Sequence, residues 1–187
     1  MMDMPLTKTY RRTLRERALD QYGYVTTRDA EELGIPTTEL PNLKRRGGLQ
    51  HVGHGVYRFE DVPHTGKEQF MEAVLQVGHG AYLTGDAVLA LHDLALANPR
   101  RVRVAAPHRD RRKLPKFVEV VPGTADGAER TSYEGIPATT VARALRDCQG
   151  VIMRDRLIQA AKEAARVGLL RRKEAAALLD ELGEAYD

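Results

Sequence analysis

The chain of 187 residues contains a single cysteine, Cys148, and no long apolar run. One cysteine excludes a disulfide framework and a cysteine-based zinc site, and it is compatible with a reducing compartment. No apolar run approaches the ~20 residues that a membrane-spanning helix needs. Residues 1–5 show neither a charged region nor an apolar stretch, so we expect no secretory signal. We therefore expect a cytoplasmic globular protein that has no membrane contact.

Catalytic motifs are also missing. The six histidines show no metal-ligand spacing, and the sequence has no Gly-x-Ser-x-Gly element, Walker-type loop or Gly-x-Gly-x-x-Gly element. Cys148 falls near the end of an apolar predicted helix, where a small core residue is expected. We accordingly predict a protein that is not an enzyme, with no catalytic residues, no bound metal and no cofactor.

The net charge is small, but it is unevenly distributed. Twenty-nine Lys and Arg against 26 Asp and Glu leave +3, which is too little by itself to indicate a nucleic-acid partner. Residues 100–116, the basic loop, hold eight basic residues and one acid, a net charge of +7, which leaves −4 for the other 170 residues. The eight are Arg100, Arg101, Arg103, Arg109, Arg111, Arg112, Lys113 and Lys116, and all but Arg103 are candidates for a secondary basic patch. The alternative is a solvated connector between strands.

Periodicity and capping residues predict three helices and a hairpin at the N-terminus. Apolar residues recur every four positions from 10 to 22, which predicts a helix that ends at Gly23. Thr26 or Thr27 is expected to cap a short helix to residue 33, and Thr37 a third helix to about residue 46. Residues 49–52 and 56–59 are β-prone runs around a glycine-rich tip. This order is that of a winged helix-turn-helix.

The third predicted helix turns polar side chains outward if Leu40 and Leu43 face the core. Arg, Asn and Glu match the edges of guanine, adenine and cytosine in the major groove, and Lys44 and Arg46 suit phosphate groups. Pro41 falls near the first turn, where proline costs least. The candidate DNA-binding residues are Thr37, Thr38, Glu39, Asn42, Lys44, Arg45 and Arg46 of the helix, with His54 and Arg58 of the hairpin. The alternative is a winged helix used for protein contact.

The rest of the chain predicts strands mixed with helices. Strands are expected near residues 81–83, 102–105, 117–121 and 131–133, with helices at 67–77, after Thr84 and after Thr139 or Thr140. Residues 153–167 and 171–182 predict an αα-hairpin. The predicted fold class is α+β: a winged helix-turn-helix in residues 1–62, followed by a mixed α/β domain in residues 63–187 that ends in the αα-hairpin.

Four segments of the chain resemble antitoxins of the AbiEi type. They are residues 23–36 and 49–58 in the N-terminal region, and residues 83–94 and 135–147 after it. Their order and spacing carry the resemblance more than any one motif does. The resemblance implies a bacterial antitoxin of a toxin–antitoxin system or phage-defence operon.

Proteins of this kind bind inverted repeats in the double-stranded DNA of their own promoter and act as autorepressors. Their C-terminal domain neutralises a nucleotidyltransferase-like toxin, directly or functionally. In some relatives the second domain also carries a positively charged face that assists DNA binding, and the basic loop matches that description in character. The alternative is an orphan winged-helix regulator, or a protein-interaction module, that has no toxin partner.

The two interpretations of the basic loop predict different salt dependences. If the loop binds DNA, charge reversal of Arg111, Arg112 and Lys113 should flatten the plot of log binding constant against log salt concentration. The expected change is roughly 0.9 in slope for each phosphate group that the variant no longer neutralises, with the sequence preference unchanged. Fluorescence anisotropy titrations at several salt concentrations measure this slope, and an unchanged slope identifies the loop as a connector.

Overall fold

A computed structural model describes residues 4–107 and 113–183, with the backbone alone for residues 4–8. The chain divides into two compact units. The first runs to Gln76 and takes in Lys113–Pro115, and the second comprises the other described residues from Val77 onward. The predicted domain boundary between residues 62 and 63 falls inside the first unit. Within the described ranges, no helix combines the length and apolar character that crossing a membrane requires.

The first unit consists of helices around a small antiparallel sheet. Its elements are α1 (Met4–Leu19), β1 (Tyr24–Thr26), α2 (Thr27–Glu32), α3 (Glu39–Arg46), β2 (Leu49–Gly53) and β3 (Val56–Phe59), and α4 (Glu68–Val77) closes it. The strand order is β1-β3-β2, and β2 and β3 form the hairpin. The predicted winged helix-turn-helix is confirmed, with β2 and β3 as its wing.

The helices and the sheet enclose one apolar core. Leu14 and Ala18 of α1 are completely buried, as the four-residue spacing predicted. Helix α1 nevertheless ends at Leu19, four residues before the predicted end, and β1 follows as a strand that the sequence pattern did not predict. The buried residues of this core are Leu14, Ala18, Val25, Ala30, Ile35, Leu40, Leu43, Leu49, Tyr57, Phe59 and Val62.

A buried carboxylate, that of Asp29, joins α1 to the start of α2. It accepts hydrogen bonds from the Thr26 amide (2.8 Å) and hydroxyl (2.7 Å), from Gln21 Nε2 (3.0 Å) and from Arg17 Nη1 (3.1 Å). The Thr26 hydroxyl accepts from the Asp29 amide in return (3.1 Å), which completes a capping box. The predicted cap of α2 is therefore confirmed, and it is fixed to the neighbouring helix.

The second unit is a five-stranded mixed sheet with helices. Its strands are β4 (Tyr82–Leu83), β5 (Val102–Ala106), β6 (Val118–Pro122), β7 (Arg130–Tyr133) and β8 (Ile136–Thr139), in the order β6-β5-β4-β8-β7. β5 pairs with β6 and β4 with β8 in parallel, and the other two pairings are antiparallel. The helices are α5 (Asp86–Leu91), α6 (Val141–Asp147), α7 (Arg154–Arg166) and α8 (Arg172–Glu181), and α7 and α8 form the predicted αα-hairpin. The predicted α+β class is confirmed.

Two predicted caps in the second unit have different outcomes. Thr140 caps α6 by accepting from the Arg143 amide at 3.3 Å. Thr84 does not cap α5, because Gly85 occupies the cap position and the Thr84 hydroxyl donates to Asp147 Oδ2 at 3.2 Å. Cys148 is completely buried, and its burial raises the pKa of the thiol to about 12. The thiol is therefore protonated at neutral pH, as suits a core residue.

The hydrogen bonds of Asp29 predict a large loss of stability when its carboxylate is removed. We expect Asp29→Ala to lower the free energy of unfolding by roughly 2–4 kcal/mol, because a helix cap and several charge-assisted bonds are removed together. Chemical denaturation followed by circular dichroism measures the change. Glu16→Gln, which removes an exposed ion pair with Arg12, is the matched control and should not change stability measurably. Equal effects of the two substitutions would contradict this role of Asp29.

Candidate nucleic-acid interface

Helix α3 is short, and its last turn is cationic. It begins at Glu39, and Thr38 occupies the cap position, one residue after the predicted cap Thr37. The backbone carbonyl of Thr37 accepts a hydrogen bond from the Leu40 amide. Pro41 is the third helical residue, where no amide hydrogen is needed for an intrahelical bond. The helix ends at Arg46, and Gly47 follows at the cap position with a φ of +87°, which favours glycine. Three cations in its last turn are favourable to the helix dipole.

The apolar side of α3 faces the core and its polar side faces outward. Leu40 and Leu43 are buried, as predicted. Thr38, Lys44, Arg45 and Arg46 are exposed, and Thr37, Glu39 and Asn42 are half-buried. Neither Lys44 nor Arg46 has an acidic partner in the part of the chain that the structure describes. Their charges are therefore available to an anionic partner.

Glu39, Asn42 and Arg45 of α3, spaced three residues apart, are joined by hydrogen bonds into what we call the polar ladder. Asn42 Nδ2 donates to Glu39 Oε1 at 3.4 Å, and Arg45 Nη2 donates to Asn42 Oδ1. Glu39 Oε2 is buried without a hydrogen-bond partner in the described chain. Asn42 and Arg45 lie on the side of α3 away from the two leucines, and half-buried Glu39 lies at the edge of that side. The hydrogen bonds therefore connect these three predicted DNA-binding residues.

The wing is fixed at its tip and along its first strand. His54 is exposed at the tip, as the prediction required, and Gly55 follows it with a φ of +68°, which favours glycine. The Gly55 carbonyl accepts from the Thr27 amide at 2.9 Å, which joins the tip to the start of α2. The Gln76 amide donates to the Val52 carbonyl at 3.1 Å. A Cβ atom at Gly53 would overlap Gln76 Oε1, so a side chain there would displace that amide.

Arg58 lies inside the first unit, not at the surface that the prediction required. Its exposed fraction is 7%, and its guanidinium donates to the carbonyls of Phe59 (3.3 Å) and Val62 (2.8 Å). The guanidinium also lies over the Tyr24 ring, 5.8 Å from its centroid. All four residues of β3 are buried, because this strand is the central one of its sheet. We therefore leave Arg58 out of the proposed contact set and assign it a structural role.

Two residues that the sequence pattern did not single out contribute to this surface. Arg11 donates to the Gly47 carbonyl at 3.4 Å, and its guanidinium lies 5.6 Å from the Phe59 ring centroid, which adds a positive charge at the C-terminal end of α3. Gln76 holds the wing from α4. Both act on partners more than 20 residues away in sequence, and no local pattern reports such contacts.

The basic loop is described only in part. Arg100, Arg101, Lys113 and Lys116 are exposed. Arg103 is half-buried, with Asp86 and Glu119 each 3.7 Å away. Burial raises the pKa of Asp86, although Arg103 opposes this shift. The predicted patch residues Arg109, Arg111 and Arg112 lie outside the described residues.

Arg143 of the second unit is held by hydrogen bonds to its neighbours. Arg143 binds Asp147, Glu129 and Thr124 beside a cavity of about 150 Å³, and hydrogen bonding to Asp147 raises the pKa of its guanidinium above the ordinary value. Within residues 4–107 and 113–183, no group of three or more His, Cys, Asp or Glu side chains is placed to hold a metal ion. These contacts indicate a structural role for Arg143.

Comparison with known proteins gives a family match within the N-terminal segment. Residues 12–59 match the sequence model of a family described as "Transcriptional regulator, AbiEi antitoxin", so the resemblance is confirmed from the middle of α1 to the end of β3. Among solved structures, a crystal structure of the RV2827C protein from Mycobacterium tuberculosis is similar, with a TM-score of 0.48 and 19% sequence identity, over 94% of this chain and 78% of that chain. No curated protein sequence gives a significant match.

Because Arg58 is buried and Lys44 is exposed, truncating Arg58 should mainly affect stability, whereas truncating Lys44 should mainly affect DNA binding. Arg58→Ala should lower the free energy of unfolding by about 2 kcal/mol, because the guanidinium's hydrogen bonds to the Phe59 and Val62 carbonyls and the packing of its buried side chain are lost. At temperatures where it stays folded, its salt slope of DNA binding should equal that of the unaltered protein.

Lys44→Ala should lower the free energy of unfolding by less than about 1 kcal/mol, because it removes one favourable charge from the end of the helix dipole. It should lower the salt slope by roughly 0.9, the value for one phosphate contact. Thermal unfolding and anisotropy titrations on the same samples separate the two roles. A lower salt slope in Arg58→Ala would return that residue to the contact surface.

Proposed function

We propose that the protein is a bacterial antitoxin that binds the DNA of its own promoter and represses transcription of its operon. The observation that carries the proposal is the outward side of α3, where Lys44 and Arg46, without acidic partners in the described chain, flank the Glu39–Asn42–Arg45 ladder. This surface lies within the segment that matches the AbiEi regulator family. The winged helix-turn-helix is a fold that DNA-binding regulators use to enter the major groove.

The charge and composition of α3 favour nucleic acid over protein as the partner. Apart from Pro41, its outward residues are polar or charged. The centre of a protein–protein interface is depleted of charged residues and enriched in aromatic ones. Phosphate groups, in contrast, are met by Lys and Arg, which fix the register of a protein on the duplex.

Contacts outside α3 complete the proposed binding surface. His54 at the wing tip is placed to lie along the DNA backbone or the minor groove, and Arg11 adds a cation near the end of α3. The proposed partner is double-stranded DNA with inverted repeats, and each repeat would take one copy of the winged helix. Exposed Arg100, Arg101, Lys113 and Lys116 support a secondary role for the basic loop.

We assign neutralisation of a nucleotidyltransferase-like toxin to residues 63–187, directly or functionally, with residues 1–62 as the DNA-binding domain. The sheet and helices of the second unit have their own buried core, which includes Leu83, Leu89, Ile136, Leu145 and Leu178. The saturated contacts of Arg143 and the inert thiol of Cys148 support a protein that acts without catalysis. A promoter-bound regulator of a bacterial operon works in the cytoplasm.

A mobility-shift assay with the DNA immediately upstream of the coding sequence tests the repressor half. We expect a sequence-preferring, salt-sensitive shift that K44E/R45E/R46E abolishes. The matched control is R171E/R172E/K173E, which changes the net charge equally at three exposed consecutive cations before and within α8. Loss of the shift in both variants would attribute binding to net charge, and no shift with the unaltered protein would contradict autorepression.

Co-expression with the neighbouring toxin gene tests the antitoxin half. The unaltered chain should restore growth. K44E/R45E/R46E should restore it equally when both proteins are expressed from an unrelated promoter, because the altered surface is proposed to bind DNA alone. Continued growth arrest with the unaltered chain would contradict the antitoxin assignment and leave an orphan winged-helix regulator.

A further inference from the structure

We infer that Asn42 reads an adenine in the major groove and that Glu39 is a positioning residue that fixes the Asn42 amide for this task. The inference rests on the proposed DNA-binding function and adds the base pair that α3 selects. It comes from the polar ladder, in which Asn42 lies between Glu39 and Arg45.

The chemistry of its two neighbours fixes the orientation of the Asn42 amide. A carboxylate only accepts hydrogen bonds and a guanidinium only donates them. The Asn42 NH₂ group must therefore face Glu39, and the Asn42 carbonyl oxygen must face Arg45. An amide turned by 180° would set donor against donor and acceptor against acceptor on both sides.

The fixed amide keeps one free donor and one free acceptor. An asparagine amide has two N–H donors and two lone pairs on its oxygen, and the ladder uses one of each. Adenine offers an N7 acceptor beside an N6 donor in the major groove, which the remaining pair complements. Guanine offers two acceptors, N7 and O6, so the Asn42 oxygen would meet an oxygen there.

Glu39 contributes to selection in a second way. Its Oε2 atom is buried and has no hydrogen-bond partner within the described residues, so no guanidinium or ammonium group donates to that oxygen. A negative charge at the start of α3 repels DNA phosphates at any sequence. The side chain therefore lowers non-specific affinity while it keeps Asn42 ordered before binding, which reduces the entropy cost of complex formation.

The experiment uses the full chain and a pool of DNA duplexes randomised over a central segment. Selection with the unaltered protein identifies the preferred site, and anisotropy titrations then compare that site with versions in which each base pair is replaced. We expect one A·T pair whose replacement weakens binding by roughly 5- to 150-fold. Replacing that adenine by 7-deazaadenine, which lacks the N7 acceptor, should remove most of the preference.

Four single variants and one double variant test whether the ladder produces the preference. Asn42→Ala should lose discrimination at that base pair and respond equally to adenine and 7-deazaadenine. Glu39→Ala should lose most of the same discrimination, and it should add nothing in the Asn42→Ala background. Glu39→Gln retains an acceptor for the Asn42 amide, so it should keep the preference while binding all duplexes more tightly. Lys44→Ala, the control, should weaken all duplexes uniformly.

The outcomes separate this inference from the function on which it rests. If the unaltered protein enriches no sequence, the DNA-binding proposal and this inference both fail. If it enriches a site and Asn42→Ala enriches the same site with the same preferences, only the inference fails. If Glu39→Ala keeps full discrimination, the positioning role of Glu39 fails. Circular dichroism of each variant checks that the substitution preserves the fold.

Discussion

The hydrogen bonds of the Asp29 carboxylate are the constraint on which the arrangement of the first unit depends. Donors from α1 and from the start of α2 meet at this one side chain, so the angle between the two helices is set there. Thr27, two residues earlier, also holds the wing tip through its amide. The wing tip is therefore held next to the junction that joins α1 to α2, and none of the proposed DNA-binding residues belongs to that junction. A regulator of this type needs such a junction, because its contact residues come from separate elements.

Local patterns predicted the elements of the interface, and long-range contacts decided which residues are available. The Thr26-x-x-Asp29 spacing reports a capping box, and the spacing of Leu40 and Leu43 gives the buried side of α3. Such patterns work because capping and amphipathic burial depend on residues three or four positions apart. Arg58 was predicted as a DNA contact because it lies near the wing tip in the sequence. The covering of both sides of a central strand is a tertiary effect that its own sequence does not report.

The surface of α3 separates two tasks among neighbouring side chains. Lys44 and Arg46 are exposed and have no acidic partner in the described ranges, so they supply positive charge but no fixed side-chain orientation. Glu39, Asn42 and Arg45 constrain one another through hydrogen bonds, so they supply a fixed geometry. Under the proposed function, affinity and selectivity are assigned to different residues of an eight-residue helix. Their proximity also means that a duplex bound through the cations brings its base edges to the ladder.

The contact between Gly53 and Gln76 has an evolutionary consequence. The glutamine amide occupies the space that any side chain at position 53 would need, and the same amide holds the strand through the Val52 carbonyl. A substitution at either position alone therefore disturbs this contact. A lineage that acquires a side chain at 53 must move the Gln76 amide aside, and the Val52 carbonyl then needs another side-chain donor. A lineage that loses the long amide at 76 leaves a gap over the strand that a larger residue at 53 would fill.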